Sequence, residues 1–269
     1  MAIKVELLAY TPMPEQTVAM AAKLCYSATD IDHIRDGLDE ENTERFLNML
    51  TDLGHASPIE HANFTFGIEG ISRACSHQLV RHRIASYSQQ SQRYVDGNRF
   101  EYVTPPEIAK NEKASGIYND LIDKMSEAYS EIRDALAVGY VKEYSTEELS
   151  GTDAEILAQF KEQDKAMYNK FIKKANEDAR FILPNACTTK IICTFNARTL
   201  NHFFAIRCCN RAQWEIREVA RQMLMLCREA APIIFKNSGP SCLTGPCPEG
   251  KMSCGKMKEV RELYGAKSQ

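Results

Sequence analysis

The 269-residue chain contains a single tryptophan and no Cys-x-x-Cys pair. Nor does any apolar run approach the roughly 18 to 20 residues that a membrane span requires. No charged-then-apolar leader opens the chain, so the expectation is a cytoplasmic protein with no membrane partner. An excess of positive charge is missing too: 33 Lys plus Arg stand against 36 Asp plus Glu, for a formal net charge of -3. A chain balanced in this way has no general electrostatic attraction to nucleic acid, and any anion site has to be local. What the chain does have is length and thiols. Its size allows an ample buried core. Ten cysteines behind no leader fit a reducing compartment, where thiols serve as small core residues, metal ligands or nucleophiles rather than staples.

Periodicity divides the chain into elements. Residues 3–9 read as an opening strand, 61–70 as a half-buried strand through Phe64, Phe66 and Ile68, and 187–197 as a buried strand rich in β-branched residues. Helical spacing starts at Pro14 and runs through Val18, Ala21, Leu24 and Cys25. It returns over 40–53 with Phe46, Leu47, Met49 and Leu50 as the apolar stripe, then over 72–83, 197–209 and 212–235. Residues 106–183 are charged and helical with turn residues clustered at 138–153, which predicts two antiparallel helices. No internal repeat is present. The expectation is one α+β domain over 1–236, with a mixed or antiparallel sheet packed against long helices, followed by a Cys/Gly/Pro-containing tail over 237–269.

Three clusters concentrate hydrogen-bonding groups. The stretch 81–94, "RHRIASYSQQSQRY", holds three arginines, a histidine, three serines and three glutamines. A helix running to Arg83 places Gln78, Arg81 and His82 on one face at three- and four-residue spacing, after which the chain leaves through a serine-rich loop. A basic helix end complementing its own dipole accounts for Arg81, His82 and Arg83 alone. Adding Ser86, Ser91 and Arg93 points to an anion, because a dipole needs no hydroxyls and a guanidinium fork fits phosphate bidentately. In "GHASPIEH", 54–61, His55 and His61 flank Glu60. That pair reads either as metal ligands, at a spacing that matches no zinc pattern, as a structural histidine, or as histidine against a planar ligand. In the third cluster, 196–215, Asn196 and Arg198 open a helix that later carries His202 and Arg207 among Leu200, Phe203, Phe204 and Ile206. Polar groups crowded by that much apolar surface need partners.

Two thiol readings stay open. Cys208 and Cys209 follow Arg207, whose cation can make a nucleophile of a neighbouring thiol, and Cys187 follows a proline turn; at such spacing each is equally a core residue. Cys242, Cys247 and Cys254 could begin a zinc site that takes its fourth ligand from elsewhere, or they pack as plain thiols. A further alternative is a non-enzymatic RNA or nucleotide-binding module that stacks bases on Tyr87 and Tyr94.

The pattern Arg81, His82, Arg83, seven residues and then Ser91 resembles the signature of the flavin-dependent thymidylate synthases. Gly54-His55-x-Ser57-Pro58-x-Glu60-His61, Gln78, Asn196-Ala197-Arg198, Arg207 and Gln213-Trp214-Glu215 stand in the order that family shows. The resemblance covers about residues 1–236. It implies reductive methylation of dUMP to dTMP without an enzyme nucleophile, with methylenetetrahydrofolate as one-carbon donor and FAD, reduced by NADPH, as hydride carrier. It also implies a homotetramer with active sites at subunit interfaces. Carried over by residue, it assigns His55, Ser57, Arg81, His82, Arg83, Gln89, Asn196, Arg198 and His202 to FAD. Gln78, Arg81, Gln89, Gln90, Ser91, Gln92, Arg93, Arg180 and Arg207 are assigned to the nucleotide, with Arg207 as the catalytic group and no resident metal. Gln89, which stands where members of the family can have glutamate, is given contact and no charge-dependent role. The tail lies outside the resemblance.

Overall fold

A computed structural model describes residues 2–93, 100–147 and 149–265. In chain order the elements are β1 (Lys4–Tyr10), α1 (Pro14–Leu24), α2 (Ile31–Asp36), α3 (Glu40–Asp52), β2 (Asn63–Ser72), α4 (Arg73–Leu79), β3 (Ala85–Gln89), α5 (Pro106–Ala109), α6 (Glu112–Tyr144), α7 (Asp153–Gln163), α8 (Lys165–Ala179), β4 (Thr188–Asn196), α9 (Ala197–Arg207), α10 (Trp214–Ala230) and α11 (Met257–Tyr264). The mixture of helices with an antiparallel-paired sheet is the α+β class expected. No described helix is long and apolar enough to cross a membrane.

Contacts gather the chain into two compact units, residues 1–71, 75–89 and 190–269 in the first and 72–74 and 90–189 in the second. The first unit holds a four-stranded sheet in the order β1-β2-β4-β3. β1 runs antiparallel to β2, from Lys4 opposite Glu69 to Tyr10 opposite Phe64, and β3 runs antiparallel to β4, from Ala85 opposite Phe195 to Gln89 opposite Ile191. Between the inner strands, the Thr65 and Thr194 hydroxyls meet at 2.9 Å. Alternation does the rest. Phe64, Phe66 and Ile68 of β2 and Ile191, Cys193 and Phe195 of β4 turn to the core. There they join Leu200, Phe203 and Phe204 of α9 and the Ile216, Val219, Met223 and Leu224 stripe of α10. Phe235 sits edge-on to Phe64 at 5.2 Å and to Phe204 at 6.0 Å. Cys242, Val260 and Tyr264 from the tail are buried in this same core.

In the second unit Ala137, Val138 and Val141 of α6 pack with Ile156, Leu157 and Phe160 of α7 and Ala175 of α8. The buried Tyr129 hydroxyl donates to Asn176 at 3.1 Å.

Several expectations need correction. The span 106–183 holds α5 to α8 instead of two helices. Gly139 lies inside α6, because Val138 and Val141 around it are packed. The break still falls within the expected turn cluster, between Tyr144 at the end of α6 and Asp153 at the start of α7, and a second follows where Asp164 ends α7 and its side chain caps α8 by accepting from Met167 N at 2.9 Å. The helix expected over 72–83 stops at Leu79, and that expected over 212–235 stops at Ala230 before Pro232. The serine-rich stretch is an edge strand, with Ser86 and Ser88 exposed and Ala85, Tyr87 and Gln89 half-buried. Period-two alternation this short shows only once β4 is there to pair with it. In the 40–53 helix Leu47 and Leu50 are buried but Met49 is exposed. α2, capped by the Asp30 carboxylate, was not anticipated.

Truncating Phe204, fully buried between Phe203 and Phe235, removes a central aromatic. The Phe204→Ala protein is expected to lose about 3 to 5 kcal/mol, read as a lowered midpoint in urea denaturation.

Candidate active site

α9 is the element that builds the site in the first unit. Its start is set by Asn196, whose side-chain oxygen accepts from Thr199 N at 2.8 Å. Leu200, Phe203 and Phe204 bury one face, while Arg198 and His202 stay exposed. Arg207, in the last turn, is half-buried: its Nε donates to His82 Nε2 at 2.9 Å and its Nη1 donates to Gln78 Oε1 at 3.3 Å. Accepting at Nε2 requires a neutral imidazole with its proton on Nδ1. The surroundings enforce this. Burial, then the charge of Arg207 and the nearby His202, push His82 down to about 4. The ring also sits edge-on to Phe203 at 4.8 Å. Burial lowers the Arg207 guanidinium as well, against the Cys75 thiol, but a guanidinium keeps its charge.

The turn after α4 is held from below. The Tyr87 hydroxyl donates to the carbonyls of His82 at 2.8 Å and Leu79 at 3.0 Å, and Gln89 Nε2 donates to Ser76 Oγ at 2.9 Å. Tyr87 is therefore a support for the turn, with its ring edge-on to Phe195 at 5.7 Å instead of open to a base. Tyr94, the other residue of that base-stacking alternative, lies outside the described residues. Arg81 and Arg83 are exposed, Arg83 at 6.0 Å from the Tyr87 ring. The expected common face of Gln78, Arg81 and His82 is thus realised for Gln78 and His82 only, which both meet Arg207, while Arg81, past the end of α4 at Leu79, turns to solvent.

The second sequence cluster joins the third. Arg198 Nη1 donates to Glu60 Oε1 at 2.6 Å and Ala197 N to Ala62 O at 2.8 Å. His55, exposed, takes its place beside Tyr26: the rings stack at 6.4 Å and the Tyr26 hydroxyl meets His55 Nδ1 at 3.2 Å. Ser57 is exposed just ahead of a short turn over Pro58–His61.

In the second unit a separate basic group forms. Arg93 Nη1 donates to Glu177 Oε1 at 3.2 Å, Arg180 Nε to Glu177 O at 3.1 Å, and Arg93 N to Ser91 Oγ at 3.3 Å. Gln90 and Gln92 are half-buried beside them in sequence. Arg73, which the sequence reading passed over, belongs to this group. Its Nη2 donates to Gln90 O at 2.7 Å. Its guanidinium is pulled down by burial, with the Cys187 thiol opposing and the charge of Arg180 adding to the fall. The available signal was a lone arginine opening the helix that carries Gln78.

Two of the thiol candidates, Cys208 and Cys187, are buried. Cys208 is fully buried and pushed up to about 12 by burial, with the Tyr264 hydroxyl and more distant arginines only partly offsetting it. Arg207 does not activate it, because successive helical residues do not face one another. Cys187 is buried and pushed up to about 11 by the same cause, despite Arg73.

Residues 6–233 match the family model described as thymidylate synthase complementing protein. A flavin-dependent thymidylate synthase of Clostridium tetani is 50% identical over 98% of this chain and 98% of its own length, and that of Geobacter sulfurreducens is 48% identical over 97% and 98%. That of Pyrococcus furiosus is 40% identical over 97% of this chain and 96% of its own. A solved structure of the UMP/dUMP methylase PolB from Streptomyces cacaoi, bound with 5-Br dUMP, matches at a TM-score of 0.61 over 87% of this chain and 93% of that one; at 21% identity this shows a shared fold. The chain belongs to the flavin-dependent thymidylate synthase family and is an enzyme, a methyltransferase by class.

The His82 environment sets a pH dependence. Its folded value of about 4 lies below the ordinary 6.5, so the unfolded chain binds the proton more readily. Stability is full above about pH 6.5 and falls as pH drops through the window to about 4, by on the order of 2 to 3 kcal/mol. Imidazole NMR titration is expected to give a His82 midpoint below 5, with denaturation midpoints falling over the same window; a midpoint near 6.5 refutes it.

Proposed function

We propose that the chain converts dUMP to dTMP by reductive methylation, with methylenetetrahydrofolate as one-carbon donor and NADPH as the source of reducing equivalents. Bound FAD supplies the hydride, and no enzyme nucleophile takes part. The observation that carries this reading is the half-buried Arg207 cation, fixed by His82 and Gln78.

The donor set of the first unit suits FAD. Exposed Arg81, Arg83 and Arg198 offer guanidinium forks to a diphosphate, and the stacked Tyr26 and His55 rings offer a flat surface to a planar ring. Ser57, Gln89 and His202 add polar contacts, and Asn196, whose oxygen is taken by its cap, contributes amide N–H groups. His82, buried behind Arg207, positions that arginine.

For the nucleotide, Arg73, Ser91, Arg93 and Arg180 form a phosphate-binding group, each charge-assisted bond contributing about 1.5 to 3 kcal/mol. Gln90 and Gln92 lie along the same stretch. Gln78, Arg81, Gln89 and Arg207 are assigned to the base and sugar. A fixed cation beside uracil favours its deprotonated ring nitrogen, and the electron density gained at carbon 5 is where the new carbon bond forms. The neutral state of His82 preserves the full charge of Arg207 for that task. We further propose a cytoplasmic homotetramer with active sites at subunit interfaces, in which the phosphate group and the Arg207 group can come from different chains.

The first measurement is the visible spectrum of the purified protein, followed by anaerobic NADPH with and without dUMP. A flavin spectrum that bleaches at a rate responsive to the nucleotide supports the reading, and a protein that stays colourless after added FAD overturns it. Arg207→Ala is expected to lower turnover at least roughly a hundredfold while FAD content is retained; equal loss of both would remove the role given to Arg207. Cys208→Ala and Cys187→Ala are each expected to keep wild-type turnover, since neither thiol attacks the substrate; abolished turnover in a folded Cys→Ala protein would restore the thiol mechanism.

A further inference from the structure

Four thiols away from the Arg207 group line one small cavity in the first unit. Cys209, two residues past the end of α9, borders it together with Cys242, Cys247 and Cys254 from the tail. Three of them, spaced by four and six intervening residues, were legible as an incomplete ligand set; the fold adds Cys209 as a fourth. The cavity measures about 10 Å³, roughly one water-sized sphere. That excludes an organic ligand and leaves room for a single ion. All four cysteines are free.

The backbone around them is tied down. Arg211 Nη1 donates to Glu249 Oε2 at 2.5 Å and to Met252 O at 3.0 Å. Arg261 donates from Nε to Cys242 O at 3.0 Å and from Nη2 to Gly245 O at 2.8 Å. Gly250 and Gly255, at φ of 51° and 74°, supply left-handed turns on either side of Cys254 that other residues rarely adopt.

We propose that Cys209, Cys242, Cys247 and Cys254 form a structural zinc site that fastens the tail to the end of α9. Four cysteines satisfy the tetrahedral preference of Zn²⁺ and leave no open position for catalysis. Among the described residues no three His, Cys, Asp or Glu side chains are already gathered at ion-holding spacing, so loading requires the four thiols around the cavity to turn toward the ion. Each S–H bond is replaced by a Zn–S bond, the proton passes to solvent, and no electrons are exchanged. Three of the four ligands lie beyond residue 233, where the match to the family model ends, and none of the four is a residue assigned above to the methylation chemistry.

The test is zinc analysis of the full-length protein purified under reducing conditions, with zinc X-ray absorption to identify the ligand shell. The expected result is one zinc per chain in a sulfur-only shell at about 2.3 Å. Cys254→Ser, at an exposed position, is expected to retain its fold and flavin content and to lose zinc at least tenfold. Cys25→Ser, at an exposed cysteine outside the cluster, keeps it. Absence of zinc from the wild-type protein even after added Zn²⁺ overturns the site, as does a nitrogen- or oxygen-rich shell. Unchanged zinc in the Cys254→Ser and Cys247→Ser proteins does the same, and so does an intact mass showing the loss of two hydrogens to a disulfide among the four. None of these readouts depends on turnover.

Discussion

Arg207 donates to a histidine nitrogen that can accept only while the imidazole is neutral, and most of the first unit's site follows from keeping it so. His82 is buried, lies edge-on to Phe203 and faces a permanent cation. Burial and the neighbouring cation disfavour imidazolium, and together they leave Arg207 with an undivided charge in a half-buried place. A charge held there by two hydrogen bonds loses little on meeting a substrate, which is the condition under which a fixed cation does most for a developing anion. Because Phe203 is at once a core residue and a wall of the His82 pocket, packing and charge placement are a single problem in this region.

Support for that arrangement comes from groups with no chemistry of their own. Tyr87 spends its hydroxyl on the carbonyls of the turn that carries His82, and Gln89 reaches back to Ser76 in α4. Glu60 and Arg198 tie the start of α9 to the loop bearing His55 and Ser57. The motif residues thus divide into those that meet solvent, such as Arg81 and Arg83, and those that hold them in place. The second unit organises its own basic group about Glu177, where Arg93 meets the carboxylate and Arg180 the backbone carbonyl.

Much of the fold was legible in local pattern. Alternation through Phe64, Phe66 and Ile68 marked β2, and Asn196 ahead of a helical stripe marked the start of α9, because burial on one face and capping are properties of a few consecutive residues. The order of the motif residues was enough to show the resemblance that the comparisons then bore out. Where the reading failed, the deciding term was long-range. β3 is polar and only five residues long, and its identity depends on pairing with a strand about a hundred positions away. α6 continues through Gly139 because packed valines outweigh one weak helix former.

By itself, then, the sequence determined the class of fold, the elements with strong period and the set of groups available for chemistry. Tertiary structure alone decided which of those groups meet. Arg207 and His82, 125 residues apart, form one unit while Arg81, adjacent to His82 in sequence, stays exposed; Arg73 joins Gln90, and Cys209 joins the cysteines of the tail. Spacing specifies neighbours only within a single helix or strand. Contacts between elements depend on how their buried faces pack, and that is settled by the core as a whole.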